Sequence, residues 1–181
     1  MADERAGNRG VAAVLGFVAI GIVIGLIVAA GSATMVEVTN KTEYCVSCHI
    51  YDDLYEDYKQ TAHYSNTTGF KAGCVDCHLP FDNWWNMVTT KADHGIGAMW
   101  KYYIGGVNTP EDLAERREEL ADSVFEWFQE TNSKTCKSCH SPQRWNLDEQ
   151  SSRAQQAHDG LDEDDGCIGC HRQDAAHPPT D

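Results

Sequence analysis

Three hydrophobic patterns divide the 181-residue chain. Val11 to Ala30 is an unbroken run of 20 residues with no charge and no strongly polar side chain. As a helix it rises about 30 Å, the hydrocarbon thickness of a bilayer. Small residues follow it in Ala29-Ala30-Gly31-Ser32-Ala33, as after a signal peptide, but the run exceeds the roughly 7–15 residues of a signal-peptide apolar region. A retained transmembrane anchor over residues 11–33 is expected. Further on, Thr109-Pro110-Glu111-Asp112 combines a capping threonine, proline at the first helical position and acids in the first turn. Leu113, Leu120, Val124, Trp127 and Phe128 then recur at helical spacing, which predicts an amphipathic helix over about 110–131. The third pattern is a cluster of Trp84, Trp85, Met87, Met99, Trp100, Tyr102 and Tyr103 around Lys91, Asp93 and His94. Trp and Tyr favour the water–lipid boundary, and packing against a large cofactor also consumes aromatics.

Charge gives the anchor a direction. Arg5 and Arg9 precede the run, whereas residues 31–55 contain only Lys41 as a basic residue. The positive-inside rule then places residues 1–10 in the cytoplasm and residues 34–181 outside. Gly21 and Gly25 form G-x-x-x-G within the span, a spacing that lets two helices approach and admits a homodimer. The net charge of −14, with Asp162-Glu163-Asp164-Asp165 and the segment Glu111 to Glu119, excludes nucleic acid as a partner and suits a basic redox protein.

The exported part lacks the composition of an ordinary core, since mean hydropathy is −0.48 even with the anchor included. Its cysteines explain what fills the space. Cys45-Val-Ser-Cys48-His49, Cys74-Val-Asp-Cys77-His78, Cys136-Lys-Ser-Cys139-His140 and Cys167-Ile-Gly-Cys170-His171 use all eight cysteines of the chain. C-x-x-C-H is the haem c attachment spacing: two thiols bond the porphyrin vinyl groups and the histidine ligates iron. Structural zinc needs the thiolates and not the histidines, whose chance placement after all four pairs is about 10⁻⁶. Disulfides likewise require no histidine at a fixed offset. Four covalent haems are expected, with proximal ligands His49, His78, His140 and His171.

His63, His94, His158 and His177 supply one spare imidazole per iron, so bis-histidine ligation, which lowers the potential, is expected at most sites. The first two motifs start 29 residues apart and the last two 31 apart, and each pair encloses one spare histidine, His63 or His158. The fold expected is therefore mainly α: one N-terminal transmembrane helix, then a compact multihaem domain of two dihaem units, about 41–104 and 132–181, joined by the 110–131 helix, with little β-structure.

Taken together, the anchor and several local strings resemble the NapC/NirT/NrfH family of membrane-anchored tetrahaem quinol dehydrogenases. The strings are Glu43-Tyr44-Cys45-Val46-Ser47-Cys48-His49, Ala62-His63-Tyr64-Ser65-Asn66 before Gly69, Cys74-Val75-Asp76-Cys77-His78-Leu79-Pro80, Gly106-Val107-Asn108-Thr109-Pro110, Asn132-Ser133-Lys134-Thr135-Cys136 and Ala176-His177-Pro178-Pro179. The resemblance implies an inner-membrane protein that takes electrons from menaquinol or ubiquinol and passes them to a periplasmic terminal reductase or its cytochrome subunit. It also implies distal ligation by His63, His158 and His177, and a quinol site near Lys91 with Asp93 or His94. Many members carry Met two residues after the first motif's histidine, where this chain has Tyr51, so His94 is a candidate for that iron or for the quinol. Two other readings stay open here: a storage or subunit cytochrome without its own quinol site, and a multihaem oxyanion reductase.

Overall fold

The computed structural model describes the backbone of residues 2–172, 175 and 177, with side chains from residue 10 onward within that set. The side chains of Arg5 and Arg9, and residues Ala176, Pro178 and Pro179, lie outside the described residues. The chain divides into two compact units, Met1–Asn40 and Lys41–Asp181.

The first unit is one helix, α1 (Ala2–Thr39). Within Gly10–Thr39 an 18-residue window has mean hydropathy 3.0 and no buried residue, so apolar side chains cover it on every side. Such a helix is stable only where lipid or protein covers it. It runs past the expected end at residue 33, and its hydroxyls turn inward there: Ser32 donates to Ala29 O at 2.9 Å, Thr34 to Ala30 O at 2.9 Å and Thr39 to Met35 O at 2.7 Å. No hydroxyl then needs water, and the helix continues.

The second unit has no strand among the described residues. Short helices carry three of the four motifs: α2 (Thr42–Cys45), α4 (Cys74–His78) and α8 (Lys134–Cys139). Between and after them run α3 (Asp52–Lys59), α5 (Trp84–Tyr103), α6 (Pro110–Glu115), α7 (Arg117–Glu130) and α9 (Ser152–His158). The buried apolar side chains among the described residues are Ile50, Tyr58, Ala72, Leu79, Met87, Val107, Leu113, Phe128 and Ile168. Ile50, Leu79 and Ile168 lie within or directly after attachment motifs.

The aromatic cluster is a single helix. Asn83 caps α5, its Oδ1 accepting from Asn86 N at 2.7 Å. At the other end, Ile104 and Gly105 N both donate to Trp100 O at 2.9 Å. A Cβ on Gly105 would meet Lys101 Cα at 2.9 Å, so only glycine allows this turn. The α6 start is as expected, with Thr109 Oγ1 accepting from Asp112 N at 3.1 Å while Asp112 Oδ2 accepts from Thr109 N at 3.0 Å.

The helix expected over 110–131 is two helices. Arg116, at φ −104 and ψ 9, separates α6 from α7. Its guanidinium bonds Glu119 at 3.0 Å and Gly105 O at 3.2 Å, which ties the break to the end of α5. Leu113 on α6 and Phe128 on α7 are nevertheless both buried, with Leu120, Val124 and Trp127 half-buried between them. The apolar stripe therefore survives the interruption.

Candidate functional site

All eight cysteines lie at half-buried or exposed positions and none pairs with another in a disulfide. Among the described residues no three His, Cys, Asp or Glu side chains converge as a structural metal site requires. The histidines are arranged differently, in facing pairs. His63 faces His140 at 6.1 Å between ring centres, His78 faces His177 at 6.5 Å and His158 faces His171 at 6.0 Å. Two imidazoles on opposite sides of one iron, each with a bond of about 2.0 Å and about 1.1 Å from nitrogen to ring centre, stand about 6.2 Å apart. Each pair thus matches the separation of two imidazoles that share one iron.

The remaining ring nitrogens support that fit. His63 Nδ1–H donates to Ala175 O at 2.7 Å, and His158 Nδ1 lies 2.7 Å from Gln150 Oε1. Spending Nδ1 on an acceptor leaves Nε2 with its lone pair for a metal. His177 Nδ1 is buried without a well-formed hydrogen bond, and the Leu54 backbone is the polar group nearest in effect to the ring. Burial pushes the His78 imidazolium down to about 4, with His177 and His94 adding like charge. Burial also lowers His140, next to His63 and His171, and His177, next to Arg117. Neutral imidazole is the form that ligates iron. Two clefts of about 330 and about 320 Å³ flank Pro80, Lys134 and Thr135, between the second and third attachment segments.

Two of the three pairs cross between the halves of the unit. His63 lies between the first and second motifs yet faces the third, and His177 follows the fourth motif yet faces the second. Only His158 faces the histidine of its own half. The sequence offered no signal for these partners, nor for the acceptors Gln150 and Ala175.

The first motif differs. Among the described residues no imidazole faces His49. His94, one of the candidate ligands, instead stands edge-on to Trp127 at 5.4 Å and within electrostatic reach of His78. Tyr51 is half-buried beside Cys45 and Cys48, and burial raises its phenol, with the two thiols adding to the shift.

On α5 the three quinol-site candidates separate. Lys91 and His94 are half-buried on the face that also buries Met87, whereas Asp93 is exposed. Burial lowers the Lys91 ammonium, against the pull of neighbouring Cys45. The opposite face carries Trp85, Ile96, Met99, Trp100 and Tyr103, 61–74 % exposed, within an arc of about 100°. Thr89 and Ala92 complete that stripe, which holds no charge along the roughly 30 Å of a 20-residue helix.

No solved structure matches this chain. Among known proteins, the denitrification system component NirT of Stutzerimonas stutzeri is 36 % identical over 166 residues, 91 % of this chain and 82 % of NirT. A putative tetraheme cytochrome-c type protein of Allochromatium vinosum is 36 % identical over 149 residues, 81 % of this chain and 79 % of that protein. The cytochrome c-type protein TorC of Escherichia coli is 37 % identical over 160 residues, 88 % of this chain but only 41 % of TorC. The pattern that defines the NapC/NirT cytochrome c family, N-terminal region, matches residues 8–181. With its attachment motifs, facing histidines and single apolar helix, the chain belongs to the NapC/NirT cytochrome c family, membrane-anchored electron-transfer proteins with covalently bound haem c.

Proposed function

We propose that this chain binds four haems, oxidises quinol at the bilayer surface and relays the electrons to a periplasmic terminal reductase or its cytochrome subunit. The observation that carries this reading is the two-faced helix α5, which sets Lys91 beside Cys45 of the first motif and turns an uncharged aromatic stripe outward. The stripe suits the water–lipid interface of a bilayer. The orientation expected from Arg5 and Arg9 puts this unit on the periplasmic side.

Quinol oxidation releases two electrons and two protons. Haem, when bound, supplies one-electron acceptors, so the chain's task is to hold the quinol and take its protons. Lys91 Nζ is placed to hydrogen-bond a quinol oxygen. Its burial favours the neutral amine, which accepts the hydroxyl proton as the electrons leave. His94, on the same face, offers a second polar contact, and exposed Asp93 is better placed to pass protons to water than to touch the ring. The facing pairs support distal ligation by His63, His177 and His158 opposite the proximal His140, His78 and His171. The charge of −14 favours an acceptor with a basic docking face.

Lys91→Ala tests the site. Reduction of all four haems by dithionite should stay intact while reduction by a menaquinol analogue slows at least about tenfold, the lower part of what positioned proton transfer contributes. Equal quinol-driven rates at full haem occupancy would remove Lys91 from the site.

A further inference from the structure

A thioether-bound macrocycle is fixed by its two cysteines, so the distance between neighbouring haems is set by how their attachment segments are joined. Two such joints in this unit have the same construction. Thr42 lies three residues before Cys45, and its Oγ1 accepts the backbone N–H of Cys74, the first cysteine of the second motif, at a long 3.5 Å. Ser133 lies three residues before Cys136, and its Oγ accepts the backbone N–H of Cys167, the first cysteine of the fourth motif, at 3.0 Å, and of Ile168 at 3.2 Å. In each joint the accepted cysteine follows a glycine. A Cβ on Gly73 would meet Thr42 Oγ1 at 3.3 Å, and one on Gly166 would meet Ser133 Oγ at 3.9 Å. Ser133 is completely buried, so its hydroxyl is unavailable to water.

The two joints also bring the same atoms together. The thiols of Cys45 and Cys74 lie within hydrogen-bonding reach of each other, and Cys136 lies beside Cys167. One hydroxyl three places before a motif, and one glycine immediately before its partner, recur at the same register in both halves.

We propose that Thr42 and Ser133 are equivalent latches, positioning residues that fix the spacing of the first with the second haem and of the third with the fourth. The proposal rests on the four-haem reading. Each latch holds the first cysteine of one motif to the helix that begins its partner, and so sets the electronic and magnetic coupling within that pair. Neither hydroxyl touches iron or quinol.

Full-length protein in detergent tests it, with intact mass for haem count and EPR of the oxidised protein for coupling between paired irons. Ser133→Ala should keep four haems and lose the coupling of the third and fourth while that of the first and second is unchanged. Thr42→Ala should give the mirror image. Thr42→Ser, which keeps the hydroxyl, should retain wild-type coupling. Gly73→Ala, which crowds Thr42 without removing its hydroxyl, should weaken only the first pair. Unchanged coupling in both alanine variants, or an equal change in both pairs from either one, would overturn the latches. Wild-type protein with fewer than four haems would instead overturn the reading on which they rest.

Discussion

Gln150 offers a sharp test of how protein groups outside the iron's own ligands tune one haem. Its Oε1 takes the Nδ1–H of His158 at 2.7 Å, and its backbone oxygen is held by Gln155 Nε2 at 3.0 Å, so the loop stays in place when the side chain is changed. Trp145, 4.8 Å from His158 between ring centres, supports the ring from another side. A hydrogen bond from Nδ1 makes the imidazole a stronger donor to iron, and stronger donors stabilise the ferric state. Gln150→Leu removes the acceptor. The net worth of such a bond is about 0.5–1.5 kcal/mol, which at about 59 mV per tenfold for one electron corresponds to an upward shift of roughly 20–60 mV. Only the fourth haem, between His171 and His158, should move. Gln150→Glu should shift it the opposite way, because a carboxylate accepts more strongly. Spectroelectrochemical titration resolves the four midpoints. Four unchanged potentials in both variants, or shifts shared by all haems, would refute this account of His158.

Intact mass and pyridine haemochrome should both give four haems per chain, and a zinc-bound, haem-free product would contradict the attachment motifs. His63→Ala, His158→Ala and His177→Ala should each turn a different haem from low to high spin in visible and EPR spectra, whereas His94→Ala should leave all four unchanged because His94 stands against Trp127. The rate of reduction by quinol should rise with pH through the window below the ordinary lysine range of about 10.4. The sign follows from Lys91: its lowered pKa leaves more neutral base at a given pH than an ordinary lysine, and raising pH increases that fraction. Lys91→Arg, protonated throughout, should flatten the profile.

Local chemistry was legible in the sequence because it depends on adjacent residues. The apolar run, the capping box at Thr109 and the four attachment strings each occupy a few consecutive positions, and the helices formed where those positions predicted them. The break at Arg116 was not legible, since its cause is a bond to Gly105 O, eleven residues away. The facing imidazoles were even less so. His63 and His140 are separated by 77 positions and His78 and His177 by 99, and no periodicity links them. Spacing puts His63 inside the first pair of motifs and His177 just after the second pair, but both rings turn to the opposite half. Asp93 illustrates a different limit: proximity in sequence to Lys91 placed it in the same group, but two positions along the helix turn it to the exposed side.

The crossed histidine pairs also determine how the chain holds itself together. With iron in place, His63–His140 and His78–His177 close two long loops whose spans overlap from 78 to 140, so neither can open without pulling on the other. By the entropy of cross-linked chains, closing loops of this size removes roughly 4–5 kcal/mol each from the unfolded ensemble. That lacing takes over a task the sparse apolar interior cannot perform.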